Sequence, residues 1–357
     1  MLTPAFQAEF RRRLLQWYRK YKRDLPWRRS RDPYAIWVSE IMLQQTQVAT
    51  VIPYFERFLK TFPTLRALAQ APEEAVLAQW AGLGYYRRAK LLHRGAQEVV
   101  ARHGGRVPDQ AESLQSLPGI GAYTAGAIAS IAFQRAVPLV DGNVVRVLAR
   151  VFRRQGHAKD PRLQKELWAL AAGLVDPRHP GDFNQALMEL GATVCRVALP
   201  SCDRCPLQDP CAGYRSGNPE AFPETPPAQK TLRLRRAVAV ALRAQAVLLV
   251  KPKKSRWFQG MWGLPQEYLG EGAGAEAVQD WLRKNLGIRF AASQALPATN
   301  HSITHHRIRT EAWLGPAQGR LKAQGEFGEA RFFPPEEIQA AALPNFDRKV
   351  LQAAKLI

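Results

Sequence analysis

A proline-rich segment divides the 357-residue chain into two parts with different hydrophobic patterns. Residues 215–231 contain four prolines and few large apolar side chains, so they neither propagate a helix nor join the interior of a sheet. We predict that this segment is a linker between a domain of residues 1–214 and a smaller domain of residues 232–357. The length of the chain also favours two domains over one core.

The two parts predict different fold classes. In the first part apolar residues recur at intervals of three and four, as in Phe6, Phe10 and Leu14, which predicts an all-α domain. The second part predicts a mixture of strands and one helix, and therefore an α+β domain. The predicted strands are Val238–Leu242, Val247–Val250, Arg307–Leu314 and Arg331–Phe333, and the predicted helix is Glu276–Leu286.

The charge of the chain favours a polyanionic partner. It has 51 Lys and Arg residues against 30 acidic ones, which gives a net charge of +21. A surplus of this size favours nucleic acid or an anionic membrane surface. No apolar run reaches the ~18 residues of a membrane span, and the first residues lack the apolar core of a secretory signal. We therefore expect no membrane partner and a cytoplasmic location, associated with the nucleoid if the cell is bacterial.

All four cysteines lie close together in the first part, at Cys195, Cys202, Cys205 and Cys211. Disulfides are unlikely to persist in a reducing compartment, so the C-x6-C-x2-C-x5-C spacing predicts a shared metal site. Four thiolates suit either tetrahedral zinc or a [4Fe–4S] cluster, and unliganded thiols are the third possibility. One close pair flanked by two wider gaps favours the cluster over zinc.

A short glycine motif, Leu117-Pro-Gly-Ile-Gly121, lies between two helical stretches. Gly119 and Gly121 permit a tight turn whose backbone N–H groups point outward, next to the start of a helix. Such a turn can hold one DNA phosphate, although an ordinary helix–helix turn has the same pattern.

Two carboxylates stand out in the first part. Asp141 precedes an amphipathic run and is placed to cap a helix, which leaves one oxygen free beside the positive end of the helix dipole. Glu40 has apolar neighbours one helical turn away on either side, so desolvation should raise its pKa, unless it reaches solvent at the edge of that face. A raised pKa suits a general acid.

Longer motifs resemble one family closely. Ser39-Glu-Ile-Met-Leu-Gln-Gln-Thr46, Leu25-Pro-Trp-Arg28, Val140-Asp-Gly-Asn-Val144 and the cysteine spacing are similar to MutY-type adenine DNA glycosylases, within the endonuclease III superfamily. The resemblance is dense from about residue 10 to 212. It implies a helix-hairpin-helix domain with one [4Fe–4S] cluster, bound by the four cysteines.

The resemblance also implies roles for individual residues. It makes Glu40 the acid that protonates adenine, Asp141 the carboxylate that stabilises the cationic sugar, and Asn143 its assistant. Further positions correspond to family residues around the extruded adenine or in contact with DNA. The adenine positions are Trp27, Arg28, Leu43 and Gln185, and the DNA positions are Gln45, Tyr85, Leu117, Gly119 and Gly121.

One position separates this chain from its bifunctional relatives. Tyr123 stands where endonuclease III carries a lysine, and a phenol cannot form the Schiff base that leads to strand cleavage. In the family this position has a proposed part in stabilising the intermediate. The resemblance therefore implies a monofunctional hydrolase rather than a lyase.

The second part resembles the MutT-like (Nudix) domain appended to these glycosylases. A working Nudix hydrolase needs a glutamate cluster for magnesium, and the matching residues 277–287 lack it. Recognition of the lesion is the remaining role. Ile303-Thr304-His305 matches the family's Phe-Ser-His loop that contacts 8-oxoguanine, with Thr304 and His305 keeping the polar groups, although histidines here are also compatible with a plain surface.

These observations predict a monomeric adenine DNA glycosylase whose partner is double-stranded DNA with A:8-oxoguanine or A:G mispairs. An endonuclease III-like lyase is disfavoured by Tyr123. A nucleotide-pool Nudix hydrolase is disfavoured by the missing glutamates, and a non-catalytic mismatch-binding protein by Glu40 and Asp141.

Overall fold

The computed structural model describes residues 2–225, 230–253, 257–258, 260–269, 274–322, 327–339 and 341–357. The chain forms two compact units. The first comprises residues 1–70 and 91–227, and the second comprises residues 71–90 and 228–357. Among the described residues, no helix combines the length and the apolar character that crossing a bilayer requires.

The chain up to Arg215 is helical, as its hydrophobic pattern predicts. Its helices are α1 (Pro4–Tyr21), α2 (Pro33–Leu43), α3 (Val48–Thr61), α4 (Leu65–Gln70), α5 (Glu73–Trp80), α6 (Arg87–Arg102), α7 (Ala111–Gln115), α8 (Ala122–Phe133), α9 (Gly142–Val151), α10 (Pro161–Leu174), α11 (Pro180–Thr193) and α12 (Ala212–Arg215). This confirms the all-α prediction for the first part.

Several of these helices begin at side-chain caps that are visible in the sequence. Thr3, Asp32 and Asp160 each accept a hydrogen bond from a backbone N–H of the first turn, and each is followed by a proline at the first helical position. Asp141 caps α9 in the same way without a proline. Local chemistry therefore fixes where α1, α2, α9 and α10 start.

Close packing of α2, α8 and α11 forms the centre of the first unit. Trp37 of α2 is fully buried, and the alanine-rich α8 lets its neighbours approach closely. The Asn184 side chain of α11 donates a hydrogen bond of 2.8 Å to Ser130 Oγ of α8, so this buried amide has a partner. These three helices supply most of the walls of the cavity described below.

The second unit contains a mixed sheet flanked by helices. Its elements after residue 230 are β1 (Leu232–Arg243), β2 (Ala246–Pro252), β3 (Gln266–Leu269), α13 (Ala275–Leu286), β4 (Arg289–Phe290), β5 (Gln294–Ile303), β6 (His306–Gln318), β7 (Phe327–Phe333), α14 (Pro335–Ile338) and α15 (Asn345–Ala353). All four predicted strands and the predicted helix are confirmed. The sequence pattern did not predict β3, β4 or β5.

Strand β1 lies inside this sheet. It pairs in parallel with β6 and antiparallel with β2 and β3, while β7 pairs with β2 and both β4 and β5 pair with β6. Val238 and Val240 pack into a core on one face, with α15, and Ala237 and Ala239 pack into a core on the other, with α13. Burial on both faces explains the nearly continuous apolar run of β1.

The proline-rich segment begins inside the first unit. Phe222 is buried, and its carbonyl accepts a hydrogen bond of 3.0 Å from Arg150 Nε. Glu224 exchanges two hydrogen bonds with the backbone of Gly156, at 2.9 and 3.0 Å. The prolines prevent a long helix or strand but allow one 3₁₀ turn, Pro219–Ala221, and packing against the first unit, so residues 216–225 are an ordered part of this unit rather than a free linker. Residues 226–229 of the predicted linker lie outside the described residues.

Candidate active site

A cavity of about 180 Å³ opens into the first unit between α2, α8, α9 and α11. It brings together all four predicted catalytic residues and all four residues predicted to surround the base. The residues lining it are Arg23, Trp27, Arg28, Ile36, Ser39, Glu40, Leu43, Thr46, Val48, Tyr123, Ile131, Asp141, Asn143, Gln185, Met188, Glu189 and Ala192.

Glu40 lies in the second half of α2 and is only 4% exposed. Burial raises the pKa of its carboxyl to about 7, while a hydrogen bond from Tyr123 lowers it and nearby Asp141 raises it. The carboxyl is therefore part protonated and part ionised near neutral pH. This is the property that a general acid needs.

Tyr123 lies in the first turn of α8, directly after the glycine turn. Its hydroxyl donates a hydrogen bond to Glu40 Oε2 and lies 3.7 Å from Met188 Sδ. Burial, together with Glu40 and Asp141, raises the pKa of the Tyr123 phenol well above its ordinary value. The phenol therefore stays protonated and acts as a donor toward the glutamate.

Asp141 combines its predicted capping role with a position in the cavity wall. Its Oδ1 accepts a hydrogen bond of 2.8 Å from Val144 N, and its Oδ2 accepts one of 2.8 Å from Asn143 Nδ2. Burial raises the pKa of Asp141, and these donors act against that rise. The carboxylate has strong hydrogen-bond support that Glu40 lacks.

Asn143 is held in turn by Arg146 of α9. Arg146 Nη2 donates to Asn143 Oδ1 at 2.8 Å and to Gly191 O at 2.6 Å, and Arg146 Nε donates to Cys195 O at 2.7 Å. A Cβ on Gly191 would lie 2.5 Å from Asn143 Cβ, so only glycine fits there. A continuous chain of hydrogen bonds thus joins Asp141 to the first cysteine.

Part of the cavity wall was missing from the sequence-based prediction. Glu189 is fully buried and pairs with Arg23 at 2.7 Å and with Arg28 at 2.8 Å. Burial by itself would raise the pKa of Glu189, but the hydrogen bonds from the two arginines lower it to about 2. The sequence did contain one indication that Glu189 lines the cavity. It lies one helical turn beyond the predicted Gln185 on α11, and so on the same face of the helix.

The glycine turn joins α7 to α8 and forms the predicted hairpin. Gly119 has φ +80°, and a Cβ there would lie 2.6 Å from Leu91 Cβ. Gly121 caps α8 with extended backbone, and no atom lies within 4 Å of the place where its Cβ would be. Leu117 is only 2% exposed, so any contact of this residue with DNA has to involve its backbone.

The remaining residues predicted to contact DNA lie outside the cavity. Gln45 and Tyr85 are exposed, with φ of +58° and +50°. Thr304 and His305 form the turn between β5 and β6 in the second unit, and Thr304 has φ +52°. Left-handed backbone is ordinary for Gln45, just after α2, and for Thr304, in a two-residue hairpin turn, whereas Tyr85 lies in neither kind of position.

All four cysteines line a second, largely apolar cavity beside α9. Arg150 Nη1 donates to Cys195 Sγ at 3.4 Å, and Tyr214 N donates to Cys211 Sγ at 3.4 Å. None of the four forms a disulfide. Within the described parts of the chain, no three His, Cys, Asp or Glu side chains are arranged to hold a single metal ion.

Comparisons with known families agree with this architecture. The model of the HhH-GPD superfamily of base excision DNA repair proteins matches residues 38–172, and the NUDIX domain matches residues 237–353. The chain is 37% identical to the adenine DNA glycosylase of Rattus norvegicus, over 96% of the chain and 77% of the rat protein.

Two solved structures resemble the first part of the chain. A thermostable thymine-DNA glycosylase has a TM-score of 0.54 and 30% identity, over 59% of this chain and 97% of its own. Endonuclease III in a non-covalent complex with DNA has a TM-score of 0.51 and 21% identity, over 61% of this chain and 99% of its own. The second likeness extends to the fold alone.

Proposed function

Because the chain belongs to the adenine DNA glycosylases of base excision repair, we propose that it hydrolyses the N-glycosidic bond of adenine mispaired with 8-oxoguanine or guanine. The observation that carries this proposal is the pair of carboxyl groups in one cavity, Glu40 with a pKa of about 7 and Asp141 with strong hydrogen-bond support. The extruded adenine would occupy the cavity, with Trp27, Arg28, Leu43 and Gln185 around it.

Glu40 is the general acid of this proposal. Its protonated form donates a proton to the adenine as the bond to the sugar breaks, which turns the base into a better leaving group. The conjugate carboxylate then accepts the hydrogen bond from Tyr123. Burial maintains the supply of protonated glutamate at neutral pH.

Asp141 stabilises the positive charge that develops on the sugar. The hydrogen bonds that Asp141 accepts from Val144 N and Asn143 Nδ2 fix the orientation of its carboxylate while the charge on the sugar forms. By the family resemblance Asn143 assists the attacking water or Asp141, and its hydrogen bond of 2.8 Å to Asp141 Oδ2 supports the second role. Two carboxyl groups in unlike environments thereby divide the acid and the stabilising roles.

The enzyme is proposed to be monofunctional. Tyr123 occupies the position at which the lyase relatives carry a lysine, and a phenol forms no Schiff base with the sugar. The cavity lining contains arginines but no lysine. Release of adenine would therefore leave an intact strand with an abasic site.

Duplex DNA would be held on three groups of residues. The hairpin at Leu117, Gly119 and Gly121 would bind a phosphate, Gln45 and Tyr85 would enter the duplex, and Thr304 with His305 would contact the 8-oxoguanine. We propose that the protein acts as a monomer in the cytoplasm, at the nucleoid if the cell is bacterial.

The four cysteines fit one [4Fe–4S] cluster. They share an apolar cavity, and N–H groups donate hydrogen bonds to Cys195 Sγ and Cys211 Sγ, contacts that also occur around cluster thiolates. Zinc would need all four sulfurs within about 2.3 Å of one atom, whereas a four-iron cluster gives each cysteine its own iron. The C-x6-C-x2-C-x5-C spacing and the match to the HhH-GPD superfamily support the cluster over zinc. When bound, the group would brace the loop that carries Cys195 and supply no step of the hydrolysis.

One assay tests the proposal. A duplex with adenine opposite 8-oxoguanine is incubated with the protein, then treated with alkali, and cleavage of the adenine strand is measured. We expect cleavage with the wild type and a loss of about 10²- to 10⁴-fold with Glu40→Gln, which keeps the shape but not the acid. Glu166→Gln, the same change at an exposed residue of α10 outside the cavity lining, is the control and should keep full activity. Equal cleavage by wild type and Glu40→Gln would rule out this mechanism.

The same assay without alkali separates a hydrolase from a lyase. We expect no strand cleavage before alkali and no protein–DNA adduct after borohydride. An adduct on wild-type protein would make the chain an endonuclease III-like lyase.

A further inference from the structure

One hydroxyl in the cavity of the first unit lies within hydrogen-bond distance of two acceptors. The Tyr123 hydroxyl donates to Glu40 Oε2, and it also lies 3.7 Å from Met188 Sδ, within the longer distances of hydrogen bonds to sulfur. A phenol has one proton to donate, and a thioether sulfur only accepts. The hydroxyl therefore donates fully to only one of the two acceptors at a time.

The two acceptors respond differently to pH. Met188 lies on α11 between Gln185 and Glu189 and lines the same cavity as Glu40. Its thioether is uncharged at every pH, so its strength as an acceptor stays constant. The carboxyl of Glu40 changes its charge near neutral pH, because burial raises its pKa to about 7. Which acceptor the phenol prefers therefore depends on the protonation of Glu40.

The sulfur matters most when Glu40 is neutral. An ionised carboxylate is the better acceptor, because hydrogen bonds to charged groups are about twice as strong as those between neutral groups. The neutral carboxyl loses this advantage and carries a proton of its own. A buried donor that lacks an acceptor destabilises the state in which it occurs. An acceptor that serves the neutral state therefore stabilises that state and raises the pKa of the carboxyl.

Other charged groups also face Glu40 from the cavity lining. Among the described residues, these are Arg23 after α1, Arg28 before α2, Asp141 at the start of α9 and Glu189 on α11. Asp141 raises the pKa of Glu40 and Arg28 lowers it. Both arginines pair with Glu189, whose pKa is about 2, so these three groups keep their charges while Glu40 titrates. A neutral replacement at position 188 removes no charge from this set.

We propose that Met188 is a positioning residue, which accepts the Tyr123 hydrogen bond while Glu40 is protonated and loses it once Glu40 has given its proton to adenine. The phenolic proton stays on its own oxygen throughout, and only its hydrogen bond changes acceptor. The sulfur thereby increases the fraction of Glu40 that is ready to act as an acid, and the returning hydrogen bond stabilises the carboxylate that forms. This inference rests on the proposed function.

The pH dependence of adenine excision tests this role. Single-turnover rates on the duplex with adenine opposite 8-oxoguanine are measured between pH 5 and 9, with enzyme in excess. We expect Met188→Leu to move the midpoint of the fall in rate to lower pH by about 0.3 to 0.7 unit, because only the neutral state of Glu40 loses a partner. In the Tyr123→Phe background, Met188→Leu should cause no further shift, because the phenol through which Met188 acts is gone.

Two methionine analogues separate the sulfur from the shape of the side chain. Norleucine has a methylene in place of the sulfur and should cause the same shift as Met188→Leu, even if that variant folds poorly. Norleucine incorporated into Met188→Leu protein should add nothing, and selenomethionine, which keeps an acceptor, should leave the midpoint of the wild type unchanged. Met261→Leu is the matched control, since Met261 is buried in the second unit and does not line the cavity.

A titration without DNA measures the same shift independently of catalysis. Glutamate labelled with ¹³C at the carboxyl carbon is incorporated, and the Glu40 signal is identified by its loss in Glu40→Gln. Its midpoint should be lower in Met188→Leu than in the wild type.

An unchanged midpoint in Met188→Leu would overturn the inference, and so would a shift that persists in the Tyr123→Phe background. A loss of rate by the same factor at every pH would also overturn it, because packing alone then accounts for Met188. Wild-type protein that releases no adenine would instead overturn the proposed function, and the titration without DNA would still decide the inference.

Discussion

The cavity gives two carboxyl groups different chemical surroundings at the scale of single residues. Glu40 lies among apolar side chains of α2 with one phenol as its hydrogen-bond donor, and its pKa is about 7. Asp141 accepts hydrogen bonds from two N–H groups at the positive end of α9. The proposed roles of Glu40 in proton donation and of Asp141 in charge stabilisation therefore depend on the surroundings of each carboxyl group and not on the residue type.

Tyr123→Phe should move the pH dependence of adenine excision. In the proposed mechanism Glu40 acts as an acid only while protonated, so we expect excision to be full below its pKa and to fall as the pH rises through about 7. The Tyr123 hydrogen bond lowers the pKa of Glu40, so its loss raises that pKa and shifts the fall in activity to higher pH. Single-turnover excision rates between pH 5 and 9 measure this.

Tyr34→Phe is the matched control, because Tyr34 donates to Phe62 O and does not line the cavity. Its pH profile should equal that of the wild type. A fall at lower pH in Tyr123→Phe would contradict the assignment.

At the scale of elements, the hairpin between α7 and α8 uses its two glycines for different purposes. Gly119 needs its left-handed backbone and has Leu91 directly beside it. Gly121 has ordinary extended backbone and open space around it. The first glycine is required by the fold, whereas the second would leave room for the proposed phosphate at the start of α8.

Alanine at each position should separate these purposes. Gly119→Ala should lower the free energy of unfolding by about 1–3 kcal/mol, because it adds backbone strain and a steric clash. Gly121→Ala should leave stability within about 0.5 kcal/mol of wild type but weaken DNA binding, since its methyl group occupies the phosphate space. Urea unfolding and Kd for undamaged duplex measure the two effects. A stable Gly119→Ala, or a Gly121→Ala with unchanged Kd, would contradict this division.

At the scale of the whole molecule, we expect the two units to have different functions, one in chemistry and the other in recognition. The first contains the cavity, the hairpin and the cysteines, so it accounts for chemistry on adenine. The second has a Nudix-type sheet without the glutamate cluster at residues 277–287, and its exposed turn carries Thr304 and His305. Under the proposed function, the base opposite adenine would be recognised by residues other than those that act on the adenine.

His305→Ala should affect discrimination but not chemistry. Loss of one polar contact should slow excision opposite 8-oxoguanine about 2- to 10-fold and leave excision opposite guanine unchanged. Parallel single-turnover assays with the two duplexes measure the ratio. Ser302→Ala, at an exposed residue near the end of β5, serves as control. Equal slowing with both duplexes would place His305 outside lesion recognition.

Local patterns in the sequence predicted much of this molecule. Apolar periodicity gave the helices, capping residues such as Asp141 gave their starts, and the apolar face around Glu40 gave its raised pKa. Strand β5 was missed because, apart from Leu296, its side chains are largely exposed, so it has little apolar alternation. Glu189 was missed because its partners Arg23 and Arg28 lie 166 and 161 residues away. Pairings of that range depend on the folded chain.

The cap formed by Asp141 has a genetic consequence. An allele that replaces this aspartate with alanine removes the stabilising carboxylate and also the cap of α9, which is worth about 1 kcal/mol. Because α9 also holds the cysteine loop through Arg146 and Arg150, such an allele should yield a protein that is scarcer in the cell as well as inactive. Replacement by asparagine keeps a capping oxygen, so the two alleles separate lost abundance from lost chemistry.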